Sequence, residues 1–563
     1  MYFRFPILLI ILFAALFGLV YLMTDFQGNI TAANGEVRTT SANDLVSSEA
    51  GVESIRETQL RAHLEFLADD LLEGRDTGSR GARVAGNYIA AQFEGLGLKP
   101  GGDNNTYFQH LQFHQRKVSS NSVLNIEVDG EMYPLKYGKD FLVVIAPEGK
   151  FEFDGELVFT GFGIQAPEYD YDDFKDVDVK GKITVYMTGE PSSDDEGFFE
   201  GKESTKYSDG ATKRRIAQSL GARGAIGILQ PDWLKETPWR AFRNFFGSSR
   251  TTLVSADAEK REQTRLPAVI LHPNVGDLLF DGTEHKFEDI VEGASKGQLS
   301  SFQMEKRARI RLYLEKKEIE DRNVIGLIEG SDPVLKSEVV VYTAHYDHVG
   351  IGTPVRGDSV YNGAADNASG VAGLLEVAEA FSQLLEPPKR SLLFLAVTAE
   401  EKGLLGSEYY VNHPVFPISK TVANFNFDII GIGDTTGIVV YGSERSTLGD
   451  VVKKAAEQVG LKILPDELPE ERIYYRSDHY SFAKKGVPAI FAAFGIDRGS
   501  FEKFEKYYHQ PSDEVDLPFN YHYMKQHVQA VFLAGLWVAN SDKRPEWKPG
   551  DEFGKIRQEH NNE

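Results

Sequence analysis

Between residues 324 and 494 the chain repeats one pattern: an apolar run of strand length ends in histidines or carboxylates. Val339–Ala344 leads into His345-Tyr346-Asp347-His348, and Leu392–Thr398 leads into Ala399-Glu400-Glu401. Thr421–Phe427 leads into Asp428, and the segment after Ala489–Phe494 reaches Tyr507-Tyr508-His509. Runs that are apolar throughout belong to strands buried on both faces. The helical pattern between them, Ser369–Leu385, sets Leu374, Leu375, Ala378, Phe381 and Leu385 on one side as cover. The pattern predicts an α/β fold, a mixed β-sheet flanked by helices. Sites in such sheets lie outside the carboxyl ends of the strands. The four polar segments are therefore predicted to converge.

The N-terminus is different. Phe5–Met23 is almost unbroken apolar sequence, with Arg4 before it and Asp25 after it. A helix of that length approaches the ~30 Å hydrocarbon core of a membrane, and the positive-inside rule places the rest of the chain outside the cytoplasm. The best small-x-small cleavage site, Thr31-Ala32-Ala33, lies well beyond the run. This favours a signal-anchor over residues 1–24 rather than a cleaved signal peptide. Either route exports the protein, anchored and facing the periplasm or exterior, or secreted if cleaved. Residues 25–54 are polar and aperiodic and read as a linker.

Residues 55–115 begin with helical periodicity, Leu60, Leu64, Leu67, Leu71 and Leu72. Gly74-Arg75-Asp76-Thr77-Gly78-Ser79 interrupts it, and a second helix follows, about Ser79 to Leu96. Residues 116–308 hold short β-rich runs, Leu124–Val128, Glu156–Thr160, Ile183–Met187 and Ala225–Leu229, with a helix near 211–220. That segment concentrates no potential ligands and reads as an insertion. The core spans 309–541 and closes with a helix near Tyr521–Ala539. Residues 542–563 read as a polar tail.

Composition limits the chemistry. Cysteine is absent, which removes disulfides, thiolate metal sites and a cysteine nucleophile together. With 61 Lys and Arg against 84 Asp and Glu the net charge is −23. Such a surface repels phosphates, so nucleic acid is not an expected partner. What remains at the strand ends is imidazole and carboxylate: His345, His509, Asp366, Glu400, Glu401 and Asp428. That donor set suits zinc in an open, catalytic site. Two Zn²⁺ balance three ligand carboxylates and one bridging hydroxide. The fourth carboxylate is then free to move protons. The loop Asn362-Gly363-Ala364-Ala365-Asp366-Asn367-Ala368-Ser369-Gly370 is rich in small residues, which lets backbone approach a ligand closely. Asp366 or Ser369 would equally serve as an ordinary helix N-cap.

These stretches, with Thr398–Ser407, Asn426–Gly431, Arg476-Ser477-Asp478-His479 and Tyr508-His509-Gln510-Pro511-Ser512-Asp513, occur in a fixed order. In that order they resemble the di-zinc exopeptidases of clan MH, metallopeptidase family 28. Those are the bacterial aminopeptidases, with glutamate carboxypeptidase as a relative. The resemblance implies the zinc-dependent exopeptidase fold (phosphorylase/hydrolase-like) and a peptide substrate. It implies that His345 and Asp428 hold one zinc, Glu401 and His509 the other, and Asp366 both. It makes Glu400 the general base and sets Asp347 behind His345 as the group that fixes its tautomer. Tyr508 would assist the scissile carbonyl, or simply pack with Tyr507 and Phe504. The Asp366–Asn367 peptide is expected to be cis. Ala365 departs from the family pattern, where a second Asp is common. His348 and His479 are not expected to be ligands, and would line the cleft or serve structure. The insertion resembles a protease-associated (PA) domain through Gly161-Phe162-Gly163-Ile164, Val179-Lys180-Gly181-Lys182-Ile183 and Gly221-Ala222-Arg223-Gly224-Ala225.

The leading reading is an aminopeptidase. A carboxypeptidase would need arginines to grip a carboxylate, and Arg356, Arg472, Arg476 and Arg498 are in the right region. The 21 positions from His345 to Asp366 fit the aminopeptidase branch better. The same scaffold would also serve a one-zinc glutaminyl cyclase or a non-enzymatic binding protein.

Overall fold

The computed structural model describes residues 42–562, apart from 129, 148, 192–196, 202–204, 256–264 and 496–497. The apolar segment read as a signal-anchor lies outside them, as does the first part of the linker. Among the described residues no helix is long and apolar enough to cross a membrane. The chain divides into two compact units, residues 114–318 and a second unit of 34–113 with 319–563.

The second unit is built on a mixed sheet. Its strands are β1 (Phe302–Ile328, of which the end lies here), β2 (Val339–His345), β3 (Ser391–Val397), β4 (Thr421–Phe427), β5 (Asp434–Tyr441), β6 (Lys462–Leu464) and β7 (Ala489–Gly495). The order is β1-β3-β2-β4-β7-β5-β6. The central four, β3, β2, β4 and β7, run parallel, so their carboxyl ends share one edge. β1 and β5 are antiparallel to their neighbours β3 and β7.

The pleat of the central strands explains why apolar runs were needed. Val340, Tyr342 and Ala344 join a core with Leu374, Phe381, Val528 and Phe532 on one face. Val339 and Val341 join Tyr410, Phe482 and Phe553 on the other. Both faces are covered, so every residue of β2, β3 and β4 is buried. The helices on the first face are α1 (Ala42–Ser54), α2 (Glu57–Leu67), α3 (Arg80–Gly95), α4 (Gly370–Ser382) and α6 (Tyr521–Asn540), with α5 (Leu448–Gln458) packed on α6.

Three expectations are corrected here. The linker does not run to residue 54: α1 is helical, packs against α4 and α6, and its Val52 O accepts from Gln529 Nε2 at 2.9 Å. The last segment is not merely a polar tail. Trp547 donates to Gly486 O at 2.8 Å, and Phe553 of α7 (Glu552–Asn562) is buried in the second core. Leu71 and Leu385, placed on apolar faces by spacing, are 79% exposed, because each lies past the end of its helix.

The unit of residues 114–318 is β-rich, with strands Gly149–Phe159, Ile183–Met187, Gly224–Ile228 and Ala268–Leu271 in parallel succession. Phe141–Ile145 adds on antiparallel to the last of these. Its core gathers Phe159, Phe162, Ile164, Val185, Ile226 and Ile228.

Candidate metal centre

His345 is the last residue of β2, Glu400 and Glu401 follow β3, and Asp428 follows β4. His509 lies beyond the helix that follows β7, in left-handed backbone at φ 53°. Asp366 sits in the turn ahead of α4, and the Asp366–Asn367 peptide is cis, as expected. The site is thus assembled from three strand ends, the loop beyond the helix that follows β7, and one helix entrance.

Asp366 turns its two oxygens to different partners. Oδ1 lies 3.3 Å from His345 Nε2, and Oδ2 lies 3.2 Å from His509 Nε2. His345 Nε2 is also 3.4 Å from Asp428 Oδ1. His509 Nε2 is 3.0 Å from Glu401 Oε2. Two donors each ~2.0–2.1 Å from one tetrahedral zinc ion stand roughly 3.3 Å apart. The spacing therefore fits two ions, one between His345 and Asp428 and one between Glu401 and His509, with Asp366 on both. Donor atoms converge in two groups, His345, Glu400 and Asp428 in one and His348, Asp366, Glu401 and His509 in the other.

Electrostatics point the same way. Burial alone would lower the His345 and His509 pKa values, yet the surrounding carboxylates override it and raise both. Burial would raise Asp366 and Glu401, yet the facing imidazoles hold both below the ordinary carboxylate range. Glu400 behaves oppositely. Burial first, then Asp478, Glu401 and Asp428, push its carboxyl well up, although His345 opposes them. A carboxyl that favours holding a proton, set against Asp366 and Glu401 that are held low, is the asymmetry general acid–base chemistry needs.

The remaining polar groups orient these. Ser477 Oγ donates to Asp428 Oδ2 at 2.7 Å and accepts from Asn426 Nδ2 at 2.8 Å, leaving Oδ1 toward His345. Asp513 accepts the N–H groups of Ala365 and Asp366 at 2.7 and 3.0 Å. Burial raises its carboxyl to about 6. Ser477 and Asp513 both lie in stretches that carried the family resemblance, but spacing alone assigned them nothing.

Asp347 requires a correction. His345 Nδ1 lies nearest the Asp347 backbone carbonyl, at 3.2 Å, and its carboxylate is 4.0 Å away. The carboxylate instead accepts from Glu400 N at 3.1 Å and from Thr77 Oγ1 at 3.2 Å. The carboxylate anchors the Glu400 backbone, and the Asp347 carbonyl meets the imidazole. Tyr508 stacks on His509, with centroids 3.9 Å apart, and packs on Phe504. His348 is fully buried with Nδ1 2.8 Å from Glu401 Oε1, within the cluster rather than beside it. His479 packs between Tyr474 and Phe491, and burial lowers its pKa to about 3, which suits a structural role.

Residues 323–534 match the model of Peptidase family M28. Aminopeptidase YwaD of Bacillus subtilis is 27% identical over 300 residues, covering 51% of this chain and 60% of that protein. Leupeptin-inactivating enzyme 1 of Streptomyces exfoliatus is 32% identical over 206 residues, 34% of this chain and 43% of that one. A probable leucine aminopeptidase 2 of Aspergillus oryzae is 28% identical over 323 residues, covering 55% and 51%. The chain thus spans about half the length of the curated relatives it matches. An aminopeptidase from Aneurinibacillus sp. strain AM-1 shares the fold at a TM-score of 0.53, with 19% identity over 90% of this chain and 98% of that one. The segment that matches the family M28 model is the one that holds His345, Asp366, Glu400, Glu401, Asp428 and His509.

Proposed function

We propose that this chain is a zinc-dependent aminopeptidase that removes N-terminal residues from peptides. The observation that carries the reading is the division of the Asp366 carboxylate between His345 and His509, with Glu400 close to His345 and Asp428 but not ion-paired to either imidazole. The relatives named aminopeptidase support the direction of cleavage. So do two arginines considered for a carboxypeptidase: Arg476 pairs with Glu471 at 3.5 Å, and Arg472 lies over the Tyr475 ring. Ala365 and Ile429, next to Asp366 and Asp428 in the chain, belong to a buried apolar cluster with Ile432, Phe494 and Phe504 that supports the ligand loops.

Two zinc ions, when bound, acidify a water and polarise a carbonyl. The chain's own residues do the rest. His345 and Asp428 would hold one ion, Glu401 and His509 the other, and Asp366 both. Ser477 keeps one Asp428 oxygen occupied so that the other faces the ion. Glu400 accepts a proton at its carboxylate and returns it to the leaving amine. The Tyr508 hydroxyl donates to the substrate carbonyl oxygen. The 1–24 segment anchors the chain outside the cytoplasm, and the insertion is a PA-type domain.

The test is a peptide panel with free and blocked termini, followed by product mass with and without a chelator, on protein from about residue 30 onward. Stepwise loss of N-terminal residues from free amines alone, abolished by chelator, is expected. Loss from the C-terminus would overturn the aminopeptidase reading. Failure to cleave despite bound zinc would return the chain to a binding scaffold.

A further inference from the structure

The stretch Gly74–Gly78 interrupts the helices of the N-terminal segment and contributes no ligand. Its Arg75 is nevertheless among the most deeply buried large side chains, at 1% exposed. Among the described residues no carboxylate lies within ion-pair distance of it. The guanidinium donates to backbone carbonyls instead. Nε reaches Tyr346 O at 2.8 Å, Nη1 reaches Asn362 O at 2.7 Å and also Leu67 O, and Nη2 reaches Gly363 O at 2.9 Å. Tyr346 follows the ligand His345, and Asn362 and Gly363 open the loop to Asp366. One planar fork thus ties two ligand-bearing loops together.

The rest of the stretch extends the tie. Arg75 O accepts from His348 N at 3.2 Å. Thr77 Oγ1 donates to Asp347 Oδ2 at 3.2 Å, and Asp347 Oδ1 in turn accepts from Glu400 N. Asp76 Oδ1 is 2.7 Å from Lys402 Nζ, next to Glu401. Gly74 is in left-handed backbone, and a Cβ there would strike the carbonyls of Tyr361 and Gly350, so this close fit needs glycine.

The physical reason is specific to arginine. Loops leaving strand ends carry carbonyls that no ladder satisfies, and a buried unsatisfied carbonyl is costly. A guanidinium presents several donors in fixed geometry, whereas an ammonium is a point charge on a flexible stem. The positive charge also stands near Asp513, Asp347, Asp366 and Glu401, which offsets part of its desolvation.

We propose that the Gly74–Gly78 stretch is a brace for the metal centre, with Arg75 as a positioning residue whose carbonyl fork sets the separation of the His345 and Asp366 loops, so that zinc retention depends on it. The inference rests on the two-zinc reading above. The test compares the wild type with Arg75→Lys, Thr77→Val and a control, Arg390→Lys. Arg390 is equally buried in the same unit but pairs with Glu338 and the carbonyls of Val538 and Ser541, away from the ligand loops. Zinc retention is titrated against a competing chelator, and kcat, KM and Tm are measured.

Arg75→Lys is expected to lose zinc affinity by about 10- to 100-fold, the range for groups that support ligands. Its kcat should fall with KM nearly unchanged. Arg390→Lys should lower Tm while keeping wild-type zinc affinity and kcat. Wild-type zinc retention in Arg75→Lys, or equal zinc loss in Arg390→Lys, overturns the proposal. If Arg75→Lys does not fold, Thr77→Val carries the test: zinc affinity and kcat both fall, and wild-type zinc retention overturns the brace. A wild-type protein that takes up no zinc would instead overturn the reading of the site itself.

Discussion

Asp366 and Glu400 occupy the same cleft and are expected to fail differently. Asp366 offers one oxygen to each half of the centre, so Asp366→Ala should release both metals, read as zinc per protein after gel filtration. Glu400→Gln keeps the size and removes only the proton acceptor. Its kcat should fall by roughly 10²–10⁴, the usual worth of a general acid–base group, with zinc content unchanged. Near wild-type turnover in that variant would remove Glu400 from its role. Residue type and position gathered His345, Asp366, Glu400, Glu401, Asp428 and His509 as candidates, and only the family resemblance divided them into five ligands and a base. Type and position were not enough for Ser477 or Asp513, whose work is to receive or give single hydrogen bonds across 49 and 147 positions of chain. Nor did they place Asp347, whose backbone rather than carboxylate meets His345.

Helices and strands were legible where burial is two-sided. β2, β3 and β4 carry no solvent face, so an uninterrupted apolar run had no other stable use. The ends of helices were less legible, since Leu71 and Leu385 continue the apolar pattern after hydrogen bonding has stopped. α4 sits at the centre of the main core, and Leu374→Ala there should cost about 2–5 kcal/mol in denaturant unfolding. The C-terminal segment makes a sharper case. Its composition read as a polar tail, yet Phe553 is 4% exposed and Arg445 pairs with Asp551 and Glu552 at 2.8 Å. Truncation after Ser541 should lower stability by roughly 1.5–3 kcal/mol from the Phe553 side chain alone. A truncated protein with unchanged Tm would show that the segment only rests on the core.

For the whole molecule, metal and folding are linked through charge. In metal-free protein, burial raises Asp347 to about 7 and Asp478 and Asp513 to about 6. These groups bind protons more tightly folded than unfolded. Their contribution is full below the unfolded value near ~4 and is lost as pH rises through 6–7. His345 and His509, also raised, add loss above the ordinary histidine range. Asp366 and Glu401, held low, act only at more acid pH. Chelated protein should therefore melt at a lower temperature at pH 8 than at pH 5, and zinc should restore stability most at the higher pH. A Tm that rises with pH in chelator would contradict this balance.

The sequence by itself determined the α/β class, the edge at which chemistry is placed, and the donor types that gather there. Those follow from local rules: apolar period, residue chemistry and the position of polar groups just past a strand. Only the tertiary structure decided that residues 42–54 and the last segment join the core, that His348 stands against Glu401, and that Arg75 binds two ligand loops through their carbonyls. Each of these depends on which distant backbone a side chain meets, and a hydrogen bond to a carbonyl leaves no mark on the residue type of its partner.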